Sequence, residues 1–398
     1  MKSQKVRLAV VVSHPIQYYV PWFAALAHRS DLELRVFYLW TGMAGTAQDP
    51  GFGQAIRWDL PLLQGYDHTF VPNRSRRPGS DHFDGLHCPD LPQQLRAWRA
   101  EAVLLFGYAW RAHLQLLLDP RLASMPVLLR GDSHDLVPRT GRRAALARLL
   151  RRLLFRRLAG ALAVGEANRR HLLACGLLPE RIVLAPHAVD NDRFLAAAAG
   201  ARAEAAAWRG RLAIDPTAPV VLFTGKFIAK KRPLDLLEAF LALGHPSAAL
   251  VMVGTGPLEP LLRERLARAP GARVHFTGFV NQSAMPAAYA LGNVIVLPSE
   301  GPGETWGLCI NEAMNLGLPA IVSSHVGCGP DLVLPDRTGW VVPAGDPQAL
   351  AETLAEALAD PLRLQRYGEA ARQRVALYGY DATTAGLLQA LALIRRSA

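Results

Sequence analysis

The sequence predicts an α/β protein made of two doubly wound domains with parallel sheets. Short apolar runs alternate with segments of helical periodicity along the 398-residue chain. This alternation is typical of parallel sheets that are covered by helices on both faces. The runs form two series, so two Rossmann-like domains are expected. The predicted strands are residues 8–12, 33–39, 102–106, 126–129, 160–164 and 182–185, then 220–223, 249–253, 273–276, 293–297 and 320–323.

A change in composition marks the boundary between the two series. The alanine-rich segment 196–207 is followed by the turn-rich segment 215–219, and a hinge is expected between about residues 190 and 218. Ligands of open parallel sheets bind beyond the carboxyl ends of the strands, so a cleft between two facing sheets is the expected ligand site. The predicted parts are an N-terminal domain over 1–195, a C-terminal domain over 196–380, and a last helix in 381–398 that crosses back to the first domain.

Composition and charge narrow the class of protein. The chain is 51% hydrophobic and carries a formal net charge of +11. The apolar content supports substantial cores, and the positive charge favours acidic partners such as nucleotides, phosphorylated lipids or membrane surfaces. The sequence has neither zinc-finger spacing nor an aromatic RNA-binding pattern, so nucleic acid is not an expected partner.

The sequence also bears on location. No apolar run reaches eighteen residues, so no transmembrane helix is expected, and the run that follows Arg7 is too short for a signal peptide. The cysteines are widely spaced, which fits a reducing cytoplasm without disulfides or a metal site. They are Cys88, Cys175, Cys309 and Cys328.

Two glutamates lie eight positions apart across a Gly-rich turn that leads from a predicted strand into a predicted helix. Glu304 is in the turn and Glu312 is in the helix. A helix that starts near residues 306–308 would point free N–H groups and its positive dipole end into the turn, which suits a diphosphate. The two carboxylates could accept hydrogen bonds from sugar hydroxyls. The structural alternative is a capping acid and a solvated glutamate.

Lysines and glycines follow the earlier strands of the second series. Lys226 and Lys231 follow one strand, in a loop that contains Gly225, and they suit phosphate, although a solvated basic loop gives the same pattern. Gly254 and Gly256 follow the next strand and permit a close approach of the backbone to a ligand. They do not complete a Gly-x-Gly-x-x-Gly pattern, so a dinucleotide-dependent dehydrogenase is poorly supported.

The order of these motifs resembles the retaining glycosyltransferases of family 4, which have the GT-B fold. The resemblance covers nearly the whole chain and is specific in residues 220–346. It implies transfer of a sugar from a UDP- or GDP-sugar to a hydroxyl of a glycan or lipid-linked acceptor, with retention of configuration and without a metal or other cofactor. The matching motifs are Gly-Lys…Lys-Lys-Arg-Pro at 225–233, Gly-Thr-Gly-Pro-Leu at 254–258, Thr-Gly-Phe at 277–279, the two glutamates, and Gly-Cys-Gly-Pro-Asp-Leu-Val at 327–333.

The resemblance also implies roles for single residues. Lys226 and Lys231 match cations that contact the donor diphosphate, with Lys226 in the place of an arginine. Glu304 matches the glutamate that contacts the donor sugar, and Glu312 matches the one that holds the ribose. Together with Glu312, the implied donor-binding residues are Gly225, Gly254, Gly256, Gly278, Phe279, Gly307 and Leu308.

The resemblance further implies a histidine near the reacting sugar at a strand end of the first domain. His134 is the candidate for this role, with Arg130 and Asp132 as rivals, and a purely structural loop histidine is the alternative. His14 and Gln17 follow the first predicted strand and are expected to contact the acceptor.

An arginine-rich segment begins at Arg142 and ends at Arg157. Its apolar stripe is expected to pack on the sheet of the first domain. The arginine face is then either solvated or in peripheral contact with anionic membrane lipid. The stripe consists of Leu146, Leu149, Leu150, Leu153 and Leu154.

Two rival functions can be stated. A nucleotide-sugar epimerase or hydrolase on the same fold needs an additional general acid–base group near the sugar carbon. A non-catalytic nucleotide-binding scaffold at a membrane needs neither Glu304 nor Glu312.

Overall fold

The structure is a computed structural model that describes residues 5–42, 44–49, 51–138 and 140–396. The first four residues of the sequence therefore lie outside the described residues. The strands are β1 (Val6–Val12), β2 (Leu32–Tyr38), β3 (Ala47–Asp49), β4 (Gln54–Ile56), β5 (His68–Phe70), β6 (Ala102–Phe106), β7 (Val127–Gly131), β8 (Gly160–Ala163), β9 (Ile182–Leu184), β10 (Val220–Thr224), β11 (Ala249–Val253), β12 (Val274–Gly278), β13 (Val294–Leu297), β14 (Ala320–Ser323) and β15 (Gly339–Val342). The helices are α1 (Val20–Ala27), α2 (Leu91–Ala97), α3 (Arg111–Leu118), α4 (Arg142–Phe155), α5 (Glu166–Ala174), α6 (Asn191–Arg211), α7 (Pro233–Leu243), α8 (Glu259–Ala267), α9 (Met285–Ala290), α10 (Leu308–Asn315), α11 (Gly329–Leu332), α12 (Pro347–Leu358), α13 (Pro361–Ala376) and α14 (Tyr380–Arg396).

The chain divides into two compact units. Unit 1 contains the residues up to Ala47, then Ile56–His187, and the segment that starts at Tyr380. Unit 2 contains Gln48–Ala55 and Ala188–Gly379. The junction therefore lies eight residues before the boundary that the sequence predicted, and a short piece of the N-terminal half belongs to unit 2.

Unit 1 is built on a seven-stranded sheet with the order β5-β2-β1-β6-β7-β8-β9. Every strand pair in it is parallel. Both faces of its central strands are buried, as the completely buried β6 shows, because helices cover both sides of the sheet. The strand order reverses between β1 and β6, where Leu8 lies opposite Ala102.

Unit 2 is built on a six-stranded parallel sheet with the order β12-β11-β10-β13-β14-β15. The order reverses between β10 and β13, where Val221 lies opposite Val294. Parallel sheets of this kind bind ligands in the crevice beyond the carboxyl ends of the strands at the point of reversal. The predicted fold class, α/β with doubly wound parallel sheets, is confirmed.

The alanine-rich segment that the sequence analysis placed in a hinge is part of a helix. Helix α6 runs through it without a break, from Asn191 to Arg211. Alanine has the highest intrinsic helix propensity, and Asp190 caps the helix by accepting the N–H of Arg193 at 3.0 Å. The change in composition at 196–207 therefore indicates a long helix near the start of unit 2.

Helix α4 is oriented differently from the expectation. Its leucine stripe was expected to pack on the sheet, but Leu146, Leu149, Leu150 and Leu153 are 58%, 54%, 57% and 50% exposed. Phe155 is the buried residue of the helix. A helical period shows that residues share a face but does not show which face turns inward.

The last helix, α14, belongs to unit 1. Its Leu387 and Leu391 are buried in the core on one face of the unit 1 sheet. The hydroxyl of Thr383 donates to the carbonyl of Pro186 at 2.8 Å, and the indole N–H of Trp22 donates to the hydroxyl of Thr384 at 3.0 Å. In the described part of the chain, no helix has both the length and the apolar character that a membrane crossing requires.

Candidate functional site

A buried ion pair lies at the carboxyl ends of the strands in unit 2. Strand β10 leads through Gly225 into a short 3-10 turn, Ala229–Lys231. Strand β13 leads into the loop that carries Glu304. The Nζ of Lys231 lies 2.6 Å from Oε2 of Glu304, and the hydroxyl of Ser299 donates to the same oxygen at 2.9 Å. The point of strand reversal thus holds one cation and one anion in contact.

Both members of this pair are charged. Burial alone would lower the pKa of Lys231, but the Glu304 carboxylate outweighs burial and holds the lysine pKa above its usual value. Burial would likewise raise the pKa of Glu304, but Lys231 outweighs it and holds the glutamate pKa below its usual value. The pair therefore presents a fixed ammonium group inside the protein at neutral pH.

Glu312 is the second buried glutamate of unit 2. It is 2% exposed, and the hydroxyl of Tyr289 donates to its Oε2 at 2.6 Å. Burial raises the pKa of Glu312 to about 7. Its other oxygen, Oε1, has no hydrogen-bond partner in the described structure. A buried carboxylate oxygen without a partner is costly, which favours a ligand hydroxyl at this point.

The ionisation of the Cys309 thiol depends on the charges of Lys231, Glu304 and Glu312. Burial raises the pKa of Cys309 to about 11, and the charges of Lys231, Glu304 and Glu312 all act on it. Lys231 and Glu304, which the sequence analysis had singled out, are in direct contact. Glu312 lies on α10, the helix that follows the Glu304 loop.

The N-terminus of α10 faces the same loop. Gly307 is the N-cap residue with φ of 101°, and a Cβ there would lie 2.8 Å from Cδ2 of Leu297. The first N–H that bonds back to the turn is that of Ile310, which donates to the carbonyl of Gly307 at 2.9 Å. Helix-start N–H groups before it, including that of Leu308, have no intrahelical partner and suit an anion.

Close backbone packing explains why glycines occur in the neighbouring loops. A Cβ on Gly254 would lie 1.9 Å from the carbonyl oxygen of Gly225, and one on Gly256 would lie 2.7 Å from that of Phe227. These two glycines allow one loop backbone to pack against the next, whereas the sequence analysis assigned them to contact with a ligand. Gly278 has φ of 73° and open space around its Cβ position.

Lys226 has a different partner from Lys231. Its Nζ lies 2.8 Å from Oδ2 of Asp49 and 4.9 Å from the ring centre of Phe52. Phe52 also makes an edge contact with Phe279, at 5.0 Å between ring centres. Both Asp49 and Phe52 belong to the short segment of the N-terminal half that folds with unit 2. Nothing in the irregular sequence around residue 49 pointed to this contact.

Unit 1 has a pocket at the point where its strand order reverses. The pocket has a volume of about 140 Å³. Its walls are partly aromatic, and its polar groups include the side chains of Arg130 and Asp132. It is lined by Val12, Ser13, Ile16, Tyr19, Phe106, Gly107, Trp110, Arg130, Gly131, Asp132, Val164 and His187.

Arg130 forms a rigid part of this pocket. It is 3% exposed, and its guanidinium donates to the carbonyls of Ala185 at 2.7 Å and Pro186 at 3.1 Å. The guanidinium also lies 5.1 Å from the ring centre of Trp22. Burial lowers the pKa of Arg130 to about 10, so it remains charged at neutral pH.

Asp132 and His187 form the polar edge of the pocket. Oδ2 of Asp132 lies 3.7 Å from Nε2 of His187, and the Asp132 side chain is 39% exposed. Burial lowers the pKa of His187, with Asp132 acting in the opposite direction, so the imidazole is neutral at pH 7. The sequence analysis named Asp132 as a rival candidate, but it did not predict that His187 would lie next to Asp132.

The other first-half candidates lie elsewhere. His134 is 8% exposed and does not line the pocket, and its Nδ1 accepts the N–H of Leu136 at 3.3 Å. His14 and Gln17 are not among the lining residues either, because Ser13 and Ile16 occupy the wall. Burial lowers the pKa of His14 to about 4, and its ring packs against Trp40 at 5.6 Å.

Among the described residues, no group of three or more histidine, cysteine, aspartate or glutamate side chains is arranged to hold a metal ion. The site instead offers a lysine, a helix N-terminus and two carboxylates.

Two doubly wound parallel sheets, each with its site at the point of strand reversal, define a protein of the GT-B class. Residues 204–374 match the family described as glycosyl transferases group 1. The chain is 31% identical to a D-inositol 3-phosphate glycosyltransferase of Xylanimonas cellulosilytica, over 92% of this chain and 74% of that protein. The chain therefore belongs to the group 1 glycosyltransferase family.

The chain is also similar to a second glycosyltransferase sequence and to a solved structure. A GDP-mannose-dependent monoacylated alpha-(1-6)-phosphatidylinositol monomannoside mannosyltransferase of Corynebacterium glutamicum is 32% identical over 48% of this chain and 50% of its own length. The structure of HepE from Anabaena in complex with UDP superimposes with a TM-score of 0.71 at 15% identity, covering 98% of this chain and all of that one, which shows the fold. The chain spans half or less of the length of the first curated relatives that it matches.

Proposed function

We propose that this protein transfers a sugar from a nucleotide-diphosphate sugar to a hydroxyl of a glycan or lipid-linked acceptor, with retention of configuration and without a metal ion. The observation that carries this proposal is the buried Lys231–Glu304 ion pair beside the N-terminus of α10. The ammonium group of Lys231 and the N–H groups at the start of α10 would stabilise the negative charge of a departing diphosphate.

The donor would be held by unit 2. Lys231 and the N–H groups around Leu308 would bind the diphosphate, and Glu304 would accept hydrogen bonds from the sugar. The unpartnered Oε1 of Glu312 would accept a hydrogen bond from a ribose hydroxyl. The base would lie near Gly278 and Phe279, where the loop after β12 is open. As the bond between the anomeric carbon and the diphosphate breaks, the acceptor oxygen would form its bond from the same face of the sugar, and the proton of the acceptor hydroxyl would pass to the departing diphosphate oxygen.

Lys226 has a less direct part in this proposal. Its ammonium group is already neutralised by Asp49. Lys231 is also paired with a carboxylate, but its side chain is 14% exposed against 35% for Lys226, so water would screen its interaction with a diphosphate less and Lys231 would supply the larger share of the charge stabilisation.

The choice of donor rests on relatives. HepE was solved in complex with UDP, and several relatives are named as GDP-mannose-dependent. We therefore propose a UDP- or GDP-sugar as the donor of this protein.

The acceptor would be held by unit 1. The unit 1 pocket combines aromatic walls with a charged guanidinium and a carboxylate, which is the combination that sugar rings and hydroxyls require. Asp132, whose side chain lines the pocket, takes the role that the sequence analysis gave to His134.

The four free cysteines fit a cytoplasmic location.

The test is nucleotide release from a panel of UDP-, GDP- and ADP-sugars, measured with and without candidate acceptors. We expect release from one donor that depends on an acceptor, that is unchanged by EDTA, and that yields a product with the donor's anomeric configuration by NMR. Release without any acceptor would instead indicate a hydrolase. Interconversion of the donor sugar would indicate an epimerase.

Single substitutions sharpen this test. Lys231→Ala, Glu304→Ala and Glu312→Ala should each lower turnover by roughly a hundredfold or more, since each removes a group placed at the reacting donor. The matched control is Glu264→Ala, because Glu264 lies on the exposed side of α8 and pairs with Arg268. Near-normal turnover of the Lys231 variant would remove the electrostatic basis of the proposal.

A further inference from the structure

Helix α4 presents its apolar stripe to solvent. Leu146, Leu149, Leu150 and Leu153 follow a spacing of three and four residues, which places them on one face, and each is at least half exposed. Phe155 anchors the opposite side of the helix, with Leu154 partly buried against the same unit 1 core. The inner side of α4 therefore packs against unit 1, and the leucine stripe faces away from unit 1.

Positive charge surrounds this stripe. The segment from Arg142 to Arg157 contains seven arginines and no acidic residue. At 3.6 residues per turn, Arg142 lies in line with the stripe one turn before Leu146, with Arg156 on one side of the stripe and Arg143 on the other. Within the described residues, none of the seven arginines forms an ion pair with a carboxylate. The surface is thus both apolar and basic.

Apolar surface continues next to the helix. Leu118 and Leu178 are 62% and 51% exposed. The guanidinium of Arg157 donates to the carbonyl of Leu117 at 3.1 Å, and that of Arg152 donates to the carbonyl of Ala174 at 3.3 Å. Arg152 of α4 and Arg157, which follows α4, therefore contact the ends of α5 and α3, the two helices that lead to these exposed leucines.

The charge pattern selects the occupant of this surface. A second copy of the chain would bring two arginine-rich, acid-free helices together, and like charges would repel. An anionic bilayer offers both an apolar interior and phosphate groups. Helices with leucine on one face and arginine around it lie in the plane of such surfaces.

We propose that α4 docks unit 1 onto an anionic lipid bilayer. The four leucines enter the boundary between headgroups and acyl chains, and the flanking arginines pair with lipid phosphates. This inference does not depend on the proposed enzymatic function, because it concerns binding to a surface and not turnover.

Vesicle flotation of the full-length protein tests this inference. We expect binding to vesicles that contain phosphatidylglycerol, little binding to pure phosphatidylcholine, and a decrease in binding as salt screens the arginines. Leu149→Gln combined with Leu153→Gln, and separately Arg142→Glu combined with Arg143→Glu, should each weaken binding by roughly tenfold or more. All four side chains are exposed, so folding should be retained, which circular dichroism checks.

Matched controls separate α4 from general effects. Leu362→Gln combined with Leu377→Gln removes two leucines of unit 2 that are even more exposed, at 66% and 62%. Arg395→Glu combined with Arg396→Glu changes the net charge by the same amount on another exposed part of unit 1. Both controls should bind as the wild type does.

Three results would overturn the inference. The first is a wild-type protein that does not bind anionic vesicles. The second is an equal effect of the α4 pairs and their controls. The third is a wild-type dimer in sedimentation that the leucine pair converts to monomers without any change in vesicle binding, since the stripe would then be a self-association surface.

Discussion

The Lys231–Glu304 ion pair is a residue-scale feature that combines stability with function. Removal of one member of a buried pair leaves the other charge without a partner, which costs more than the pair contributes. The same pair is placed where a diphosphate is expected. Substitutions at these positions should therefore affect folding and activity together, and the two effects have to be separated experimentally.

Lys231→Met should lower the free energy of unfolding by about 3 kcal/mol, because Glu304 would remain buried and unpaired. Adding Glu304→Gln to that variant should restore most of the loss, while turnover stays low in both. Urea unfolding measures the stability and the donor assay measures the turnover. Lys230→Met, at an exposed neighbouring lysine, is the control, with a change of about 0.5 kcal/mol or less. A double variant that is no more stable than Lys231→Met would contradict this account.

Glu312 predicts a pH dependence of stability. Its pKa is about 7 in the folded protein, above its value in the unfolded chain. The folded state therefore holds the proton more tightly, and the stability falls as pH rises from about 4.5 to about 7, by roughly 3 kcal/mol in all. Glu312→Gln should remove this loss, so it should stabilise the protein at pH 8 and have little effect at pH 4. Urea unfolding at both pH values measures this, and equal effects at the two would refute it.

At this scale the sequence predicted part of the site. Glu304, Glu312 and Lys231 were identified because charged residues after apolar strands are unusual and follow a fixed order along the chain. Asp49 and His187 were not, because their partners Lys226 and Asp132 are 177 and 55 residues away in the sequence. Such contacts depend on how distant segments pack, which no local pattern records.

At the scale of elements, long periodic segments were easier to predict than short ones. The eleven predicted strands all occur, with ends that shift by at most two residues. Strands β3, β4, β5 and β15 were missed; each has only three or four residues, so its sequence gives a weak signal. The leucine stripe of α4 was recognised, but its direction was wrong, since period alone does not distinguish a core from an exposed surface.

The loops of unit 2 give a prediction for glycine. Gly254→Ala should destabilise the protein by more than about 3 kcal/mol or prevent folding, because the new Cβ would collide with the backbone of Gly225. Gly278→Ala should cost only about 1 kcal/mol, because its positive φ is strained for alanine while its surroundings are open. Soluble yield and urea unfolding measure both. Similar effects at the two positions would mean that the loops do not pack as described.

At the scale of the whole molecule, the two compact units do not follow the order of the chain. Unit 1 includes α14 although unit 2 precedes that helix in the sequence. The core of unit 1 is therefore complete only when the end of the chain has been added. The sequence suggested a returning helix but could not show which residues it would bury.

Deletion of residues 380–398 should destabilise unit 1 and spare unit 2. Leu387 and Leu391 would leave the unit 1 core, and the carbonyl of Pro186 would lose the hydroxyl of Thr383. Hydrogen exchange should become faster in β8 and β9, while β10 to β15 keep their protection. Removal of residues 395–398 alone, which spares both leucines, is the control. Faster exchange in unit 2 alone would contradict the division into units.

The ion pair between Asp49 and Lys226 has a consequence for protein engineering. Chimeric enzymes are commonly built by exchanging halves at a junction read from the sequence. A chimera that takes only the residues from about 188 onward would include Lys226 but not its carboxylate partner, Asp49. A successful transplant would have to move residues 48–55 along with the second half, as a separate insertion into the recipient's first half.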